Sequence, residues 1–287
     1  MSVLPTPASS AAGDLVAWAA ARLAAASDTA RLDAELLLAA SAGIERAAVI
    51  AHPERTLGAA ETARLAAAVR RRSGGEPVAY IVGCKEFYGL PLAVDRAVLV
   101  PRPETELLVD AALERLAAGA RSAVLDLGTG SGAIALALKR ERPGLSVTAV
   151  DRSEAALGVA RRNAVALGIE VGFFVSDWFA ALGGRRFDMI VANPPYVASS
   201  DPHFGTALGH EPRIALDGGA DGLDAFRAIL AGAALHLTPR GALLLEHGFD
   251  QRGALAELAR AHAFALERAL DDLAGRPRVA CFTRARA

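Results

Sequence analysis

The stretch Ala123-Val124-Leu125-Asp126-Leu127-Gly128-Thr129-Gly130-Ser131-Gly132 decides the fold of this 287-residue chain. Its first half is a short apolar run, as expected of a strand buried on both faces of a parallel sheet. Its second half sets three glycines into five residues, just before a helix expected over Ala133–Lys139. Glycines at such a turn let the backbone approach a ligand closely, and the helix N-terminus behind them favours the ligand's negative groups. Alone, the turn suits a dinucleotide, a nucleoside or no ligand.

Working outward toward the C-terminus, the pattern repeats. A strand over Leu145–Val150 closes with Asp151, about 20 residues past the turn, where nucleotide folds carry a ribose-binding acid. Asp151 can accept the two ribose hydroxyls or cap the next helix; the glycine turn favours the first reading. A helix over Glu154–Leu167 and a strand over Val171–Val175 lead to Ser176-Asp177-Trp178. Strand C-termini line the ligand crevice in this kind of sheet. Asp177 can then accept from an exocyclic adenine amine while Trp178 covers the ring; a core tryptophan under a loop is the alternative. Phe187–Ala192 is the fourth strand. A helix over Leu223–Leu237, a strand over Ala242–Glu246, a helix over Gln251–Ala261 and strands near Phe264 and Val279 follow. The alternation predicts an α/β fold, a Rossmann-like, doubly wound, mostly parallel sheet spanning 101–287.

The fourth strand ends in Asn193-Pro194-Pro195-Tyr196. Each proline fixes its own φ and holds the residue before it extended. The result is a stiff corner presenting an Asn amide, free carbonyls and an aromatic ring. Such a corner can grip a planar –NH2 group, and by itself it suits an amide and an adenine equally.

Toward the N-terminus, residues 1–12 read as frayed. Four short helices follow, from Asp14, over Thr29–Ala42, over Glu45–Ala51 and over Ala59–Arg72. In the second, Leu32, Leu36 and Leu37 form the expected stripe, Thr29 or Asp28 the cap, and Gly43 the stop. These make a small helical bundle over 1–75. Strands over Val78–Gly83, Phe87–Val94 and Val98–Val100 predict a linking β-hairpin over 76–100. Pro101-Arg102-Pro103-Glu104-Thr105-Glu106 then opens a helix over Leu107–Leu116, with proline and acids suited to its first turn.

Composition narrows the function classes. Hydrophobic residues make up 53% and charged residues 22%, enough for a large core. A net charge of −1 argues against a protein that grips duplex DNA through phosphates. Cys84 and Cys281 stand outside any C-x-x-C pattern, so neither a disulfide framework nor a zinc site is expected. No metal is expected from His203, His210, His236, His247 and His262 either, which lack ligand spacing. Ser131 lacks a nucleophile-elbow context. No apolar stretch suits a membrane span, and a cytoplasmic location is the expectation. The loop Val197–Asp221 is long enough to be a substrate lid; Glu211 within it has no evident role.

The glycine turn, Asp151, Asp177-Trp178 and Asn193-Pro194-Pro195-Tyr196 together resemble class I S-adenosylmethionine-dependent methyltransferases. Gly83-Cys84-Lys85-Glu86-Phe87-Tyr88-Gly89-Leu90, Pro101–Glu106 and Leu245-Glu246-His247-Gly248 add a closer resemblance, over nearly the whole chain, to the peptide-chain release-factor N5-glutamine methyltransferase family. The resemblance implies S-adenosyl-L-methionine as donor and S-adenosyl-L-homocysteine as product. It implies a cofactor site of Gly128, Thr129, Gly130, Ser131, Gly132, Asp151, Trp178 and Asn193. Asn193, Pro194, Pro195 and Tyr196 would hold the substrate, with Asn193, Pro194 and Tyr196 catalytic. The acceptor would be the glutamine of the Gly-Gly-Gln segment of class I release factors, recognised with help from the helical domain. Three readings compete. An adenine-N6 or other nucleic-acid amine methyltransferase would have to flip its base from a duplex, and no recognition domain is evident. A ribosomal-protein glutamine methyltransferase would resemble Pro-Arg-Ser-Pro where this chain has Pro101–Glu106. A non-catalytic nucleotide-binding or scaffold protein has no use for the Asn-Pro-Pro-Tyr corner.

Overall fold

A computed structural model describes residues 9–119, 121–205 and 208–285. The chain divides into two compact units, Met1–Cys84 and Lys85–Ala287. In the first, helices α1 (Ala12–Leu23), α2 (Ala30–Ala42), α3 (Arg46–Ala51), α4 (Ala59–Ser73) and α5 (Val78–Val82) surround a core of Leu15, Leu23, Leu37, Leu38 and Leu65. The expected stripe on α2 is shifted. Leu32 is exposed and Leu36 half-buried, while Ala34, Leu37 and Leu38 face the core. Asp33 and Glu35 are buried beside them because arginines neutralise them, Arg72 on Asp33 and Arg31 and Arg46 on Glu35. Thr29 holds the N-cap position of α2 without capping it, its hydroxyl going to Asp33 instead.

Val78–Gly83 is a helix and not the expected strand. Its β-branched residues favour a strand locally. However, Val78, Ile81 and Val82 fall at helical spacing and pack on the bundle core, and Gly83 closes the turn at φ 80°. Val98–Val100 is likewise no strand, since the Val100 N–H goes to the Glu211 carboxylate and not to a ladder.

A hairpin follows, β1 (Cys84–Phe87) and β2 (Leu90–Ala93); the single strand expected over Phe87–Val94 is broken by a turn at Tyr88 and Gly89, both at positive φ. After a short helical turn over Pro103–Thr105 come α6 (Glu106–Arg115), β3 (Ala123–Leu127), α7 (Ala133–Glu141), β4 (Ser146–Asp151), α8 (Glu154–Leu167) and β5 (Gly172–Val175). Then follow β6 (Phe187–Ala192), α9 (Asp224–His236), β7 (Leu237–Glu246), α10 (Arg252–Ala261), β8 (Phe264–Asp271) and β9 (Pro277–Arg284). Strands β3 to β9 form one sheet of order β5-β4-β3-β6-β7-β9-β8, parallel through β7 and antiparallel beyond it.

The near-continuous apolar strands are explained by burial on both faces. Val124, Met189, Val191 and Leu244 face the core shared with α6 and α7, while Leu125, Ile190, Leu243 and Leu245 face that shared with α9 and α10. Register positions the chemistry. Leu127 pairs with Val150 and Ala192, and Ala192 pairs with Leu245. Gly128, Asp151, Asn193 and Glu246 therefore leave the sheet side by side at its C-terminal edge. Among the described residues, no helix is long and apolar enough to cross a membrane.

Candidate active site

A cavity of about 510 Å³ opens at this edge. Its lining includes Gly128, Thr129, Gly130, Ser131, Asp151, Asp177, Trp178, Asn193 and Pro195, from four different strand ends.

The glycine turn is held from behind. The Gly128 and Thr129 N–H groups donate to the Val150 carbonyl at 2.9 and 3.0 Å. The Thr129 hydroxyl donates to Asp126 at 2.7 Å, and Asn163 Nδ2 donates to the Ser131 carbonyl at 2.9 Å. Gly128 and Gly130 have φ of 72° and 54°, which a side chain would resist. Gly132 differs in purpose. It does not line the cavity, and a Cβ there would meet Leu136 and Ala160 at 3.1 and 3.3 Å, so it lets α7 and α8 pack closely.

Asp151 is not the cap of α8; Ser153 is, accepting from the Ala156 N–H at 3.2 Å. The Asp151 carboxylate accepts from the Gly130 and Ser153 N–H groups, both at 2.9 Å. Each oxygen keeps a lone pair for a vicinal diol. Burial pushes its pKa up, and these backbone N–H groups oppose the shift. Asp126 is fully buried behind the turn. Burial raises its pKa to about 7, against the pull of Thr129. Trp178 is half-buried at the cavity wall with φ 47°, its carbonyl accepting from the Ser176 hydroxyl. An open acidic acceptor, a half-exposed indole and a glycine turn are the donor set a ribonucleoside with a charged tail requires, so the residues fit a nucleoside-type methyl donor.

At the Asn-Pro-Pro-Tyr corner, Asn193 Nδ2 donates to the Thr105 hydroxyl oxygen at 3.0 Å. Its Oδ1 is left as an acceptor. Pro194 is buried and Pro195 lines the cavity. Tyr196 does not line the cavity; its hydroxyl donates to Glu246 at 3.3 Å. Burial, then the charge of Glu246, raises the Tyr196 pKa, so the phenol keeps its proton. The corner has backbone neighbours that sequence reading missed. Gln251 Nε2 donates to the Tyr196 carbonyl at 3.0 Å, and a Cβ on Gly218 would meet the Pro195 carbonyl at 2.8 Å. Thr105 and Glu246 were visible only as members of the recurring segments Pro101–Glu106 and Leu245–Gly248, without a role.

The loop after Tyr196 folds back on itself. The Val197 and Ser199 N–H groups donate to the Leu216 and Gly219 carbonyls. Ser199, Ile214, Ala215, Asp217 and Gly219 reach the cavity wall. Glu211 now has a partner set. Its carboxylate accepts from Arg102 and from the Val100 N–H, tying the loop to the segment before α6. The histidines form no part of the cavity lining. His247 is fully buried, its Nδ1 against the Gly248 carbonyl, and burial lowers its pKa.

This sheet, its glycine turn and its strand-end acids define a class I methyltransferase. The methyltransferase small domain matches residues 103–211 and the PrmC N-terminal domain matches residues 14–83. The chain belongs to the release factor glutamine methyltransferase family. It is 48% identical to the Burkholderia pseudomallei member over 263 residues, 89% of this chain and 92% of that one. It is 51% identical to the Pseudomonas aeruginosa member over 255 residues, 88% and 92% of the two chains. A 16S rRNA methyltransferase of T. thermophilus, solved with AdoMet and guanosine, shares the fold at 24% identity. Its TM-score is 0.52, over 71% of this chain and 50% of that one.

Proposed function

We propose that the protein transfers a methyl group from S-adenosyl-L-methionine to the side-chain amide nitrogen of the glutamine in the Gly-Gly-Gln motif of class I release factors. One observation carries the reading. Asn193 sits beside the glycine turn with its Nδ2 engaged by Thr105 and its Oδ1 free to accept.

Gly128, Thr129, Gly130, Ser131, Asp151 and Trp178 would hold the donor, with Asp151 on the ribose and Trp178 over the adenine. Bound there, the donor supplies an electrophilic methyl carbon on a sulfonium. The difficulty lies in the acceptor, because an amide nitrogen shares its lone pair with its carbonyl. Asn193 Oδ1 and the Pro194 carbonyl each take one N–H, which aims the nitrogen and favours the positive charge it gains on attack. Positioning of this kind can be worth an effective molarity of about 10⁵ M or more. No titrating base is required, since the alkylated nitrogen loses its proton readily. Pro195 walls the acceptor side, and Tyr196 stiffens the corner through Glu246. The loop over 197–221 serves as the lid, and the N-terminal helices contribute partner recognition.

The test is incubation with labelled donor and either a class I release factor or DNA. Label in the release-factor glutamine is expected. Label in DNA alone, or in neither, would overturn the reading.

A further inference from the structure

We propose that Gln251 is a positioning residue for methyl transfer: its side-chain amide staples both ends of the loop over 197–221 to the turn after β7, and so fixes where the Asn-Pro-Pro-Tyr corner stands. The inference rests on the assignment above of that corner as the place that receives the substrate amide. Gln251 occupies the N-cap position of α10, yet its side chain caps nothing. Short polar side chains such as Ser, Thr, Asp and Asn are the ones that serve a helix start. The longer glutamine leaves the helix end alone and reaches three backbone groups outside it.

Those groups belong to three separate segments. Oε1 accepts from the Gly248 N–H at 2.9 Å, in the turn between β7 and α10. Nε2 donates to the Tyr196 carbonyl at 3.0 Å and to the Gly222 carbonyl at 3.3 Å. Tyr196 is the last residue before the loop and Gly222 the first after it, so a single nitrogen holds both stems. The stems also bond each other. The Val197 N–H donates to the Leu216 carbonyl at 2.9 Å, and the Gly218 N–H to the Val197 carbonyl at 2.8 Å. Only one orientation of the Gln251 amide suits this setting. Turned end for end, it would set Oε1 against two carbonyl oxygens and Nε2 against an N–H.

The corner has particular need of an outside hold. Pro194 and Pro195 carry no N–H, so neither can anchor it by donating. In the function proposed above the Pro194 carbonyl is left for the substrate. The Tyr196 carbonyl, two residues on, is held, and the hold comes from Gln251. Strand pairing puts the two turns within reach of each other, since β6 and β7 run parallel with Ala192 opposite Leu245. What Gln251 grips is therefore the backbone on the acceptor side. Gly128, Thr129, Gly130 and Asp151 follow or end β3 and β4 and receive none of its bonds. Loss of the staple frees the corner and both loop stems to drift while the donor's residues stay in place.

The experiment compares Gln251→Glu and Gln251→Met with the wild type at saturating donor and release factor. Turnover is read on the release factor, donor affinity by calorimetry and folding by the urea midpoint. Both replacements keep the length of the side chain, and neither offers the two N–H groups. Each is expected to lose roughly ten- to a hundredfold in kcat, as for a reacting group misplaced by about 1 Å, with donor affinity kept. Glu is expected to lose more than Met, because its carboxylate faces two carbonyl oxygens. A residue that merely fills space would give wild-type kcat in both. Wild-type kcat in Gln251→Met, or a donor affinity that falls in step with kcat, would overturn the staple. Should Gln251→Glu fail to fold, Gln251→Met and hydrogen exchange decide. In Gln251→Met the Val197 and Gly218 N–H groups are expected to exchange faster while those of β3 keep their rates. Wild-type rates at both stems, or an equal loss of protection in β3, would overturn the staple as well. A wild-type protein that leaves the release-factor glutamine unlabelled would overturn the acceptor assignment and the catalytic role of the staple with it. Normal wild-type labelling with an indifferent Gln251 would overturn the staple alone.

Discussion

At the scale of single residues, function concentrates in two side chains that do different work. On the function proposed above Asn193 receives the acceptor, so Asn193→Ala is expected to lose turnover by roughly 10²-fold or more while binding the donor nearly normally. Unchanged turnover would remove it from the chemistry. Asp151, proposed to meet the donor, also holds the Gly130 N–H. Asp151→Ala should weaken donor affinity by about ten- to a hundredfold without changing the acceptor, as calorimetric titration would register. The place of both residues at the cavity was legible in the sequence, because each stands in a local motif: an acid closing a strand, an amide before two prolines. Thr105, Glu246 and Gln251 were not legible in the same way. An ordinary Thr, Glu or Gln stands out only when the fold brings it beside Asn193 or Tyr196, Glu246 at a strand end and Thr105 and Gln251 at helix starts. Tyr196 shows the reverse case. The sequence suggests a role for its ring at the substrate, and the structure adds a hydroxyl that donates to a buried carboxylate.

At the scale of elements, the parallel strands were readable because burial on both faces demands unbroken apolar runs, and that demand overrides other signals. The α5 segment was misread for a related reason. Five residues are too few for periodicity to separate helix from strand, and the decision lies with the bundle core they pack on. Loops are harder still. The segment over 197–221 reads only as long enough for a lid, yet Gly218 within it and Gly222 just after it pack against the backbone of the Asn-Pro-Pro-Tyr corner. Gly222 has φ 73°, and a Cβ there would press on the Tyr196 carbonyl and approach Gln251 Nε2 to 2.6 Å. Gly222→Ala should therefore cost about 1–3 kcal/mol in stability, seen as a lower urea midpoint, together with a fall in kcat as the corner shifts. A variant as stable and active as the wild type would show that the loop does not brace the corner.

At the scale of the whole molecule, two buried acids set a pH dependence of stability. Asp126 and Glu246 have ordinary pKa values of 3.8 and 4.5, and burial raises both to about 7 in the folded protein. The folded state thus binds these protons more tightly than the unfolded one. Their contribution is complete below about pH 4 and is lost as pH rises toward 7. Asp126→Asn, which can still accept from Thr129, should raise the melting temperature at pH 8, and the gain should shrink steadily toward pH 5. An equal gain at both pH values would contradict this. The sheet's strand order carries a further consequence, for synthesis. Strand β9 lies between β7 and β8, although β8 precedes it in the chain. A chain leaving the ribosome has β7 and β8 in hand before the strand that joins them. Until residues 277–284 emerge, β7 presents an unpaired edge, an invitation to foreign strands, and Glu246 lacks the neighbouring charge of Arg278. A chain caught at this point lacks both the cover for that edge and the charge beside Glu246, so β7 is finished only when β9 inserts between it and β8.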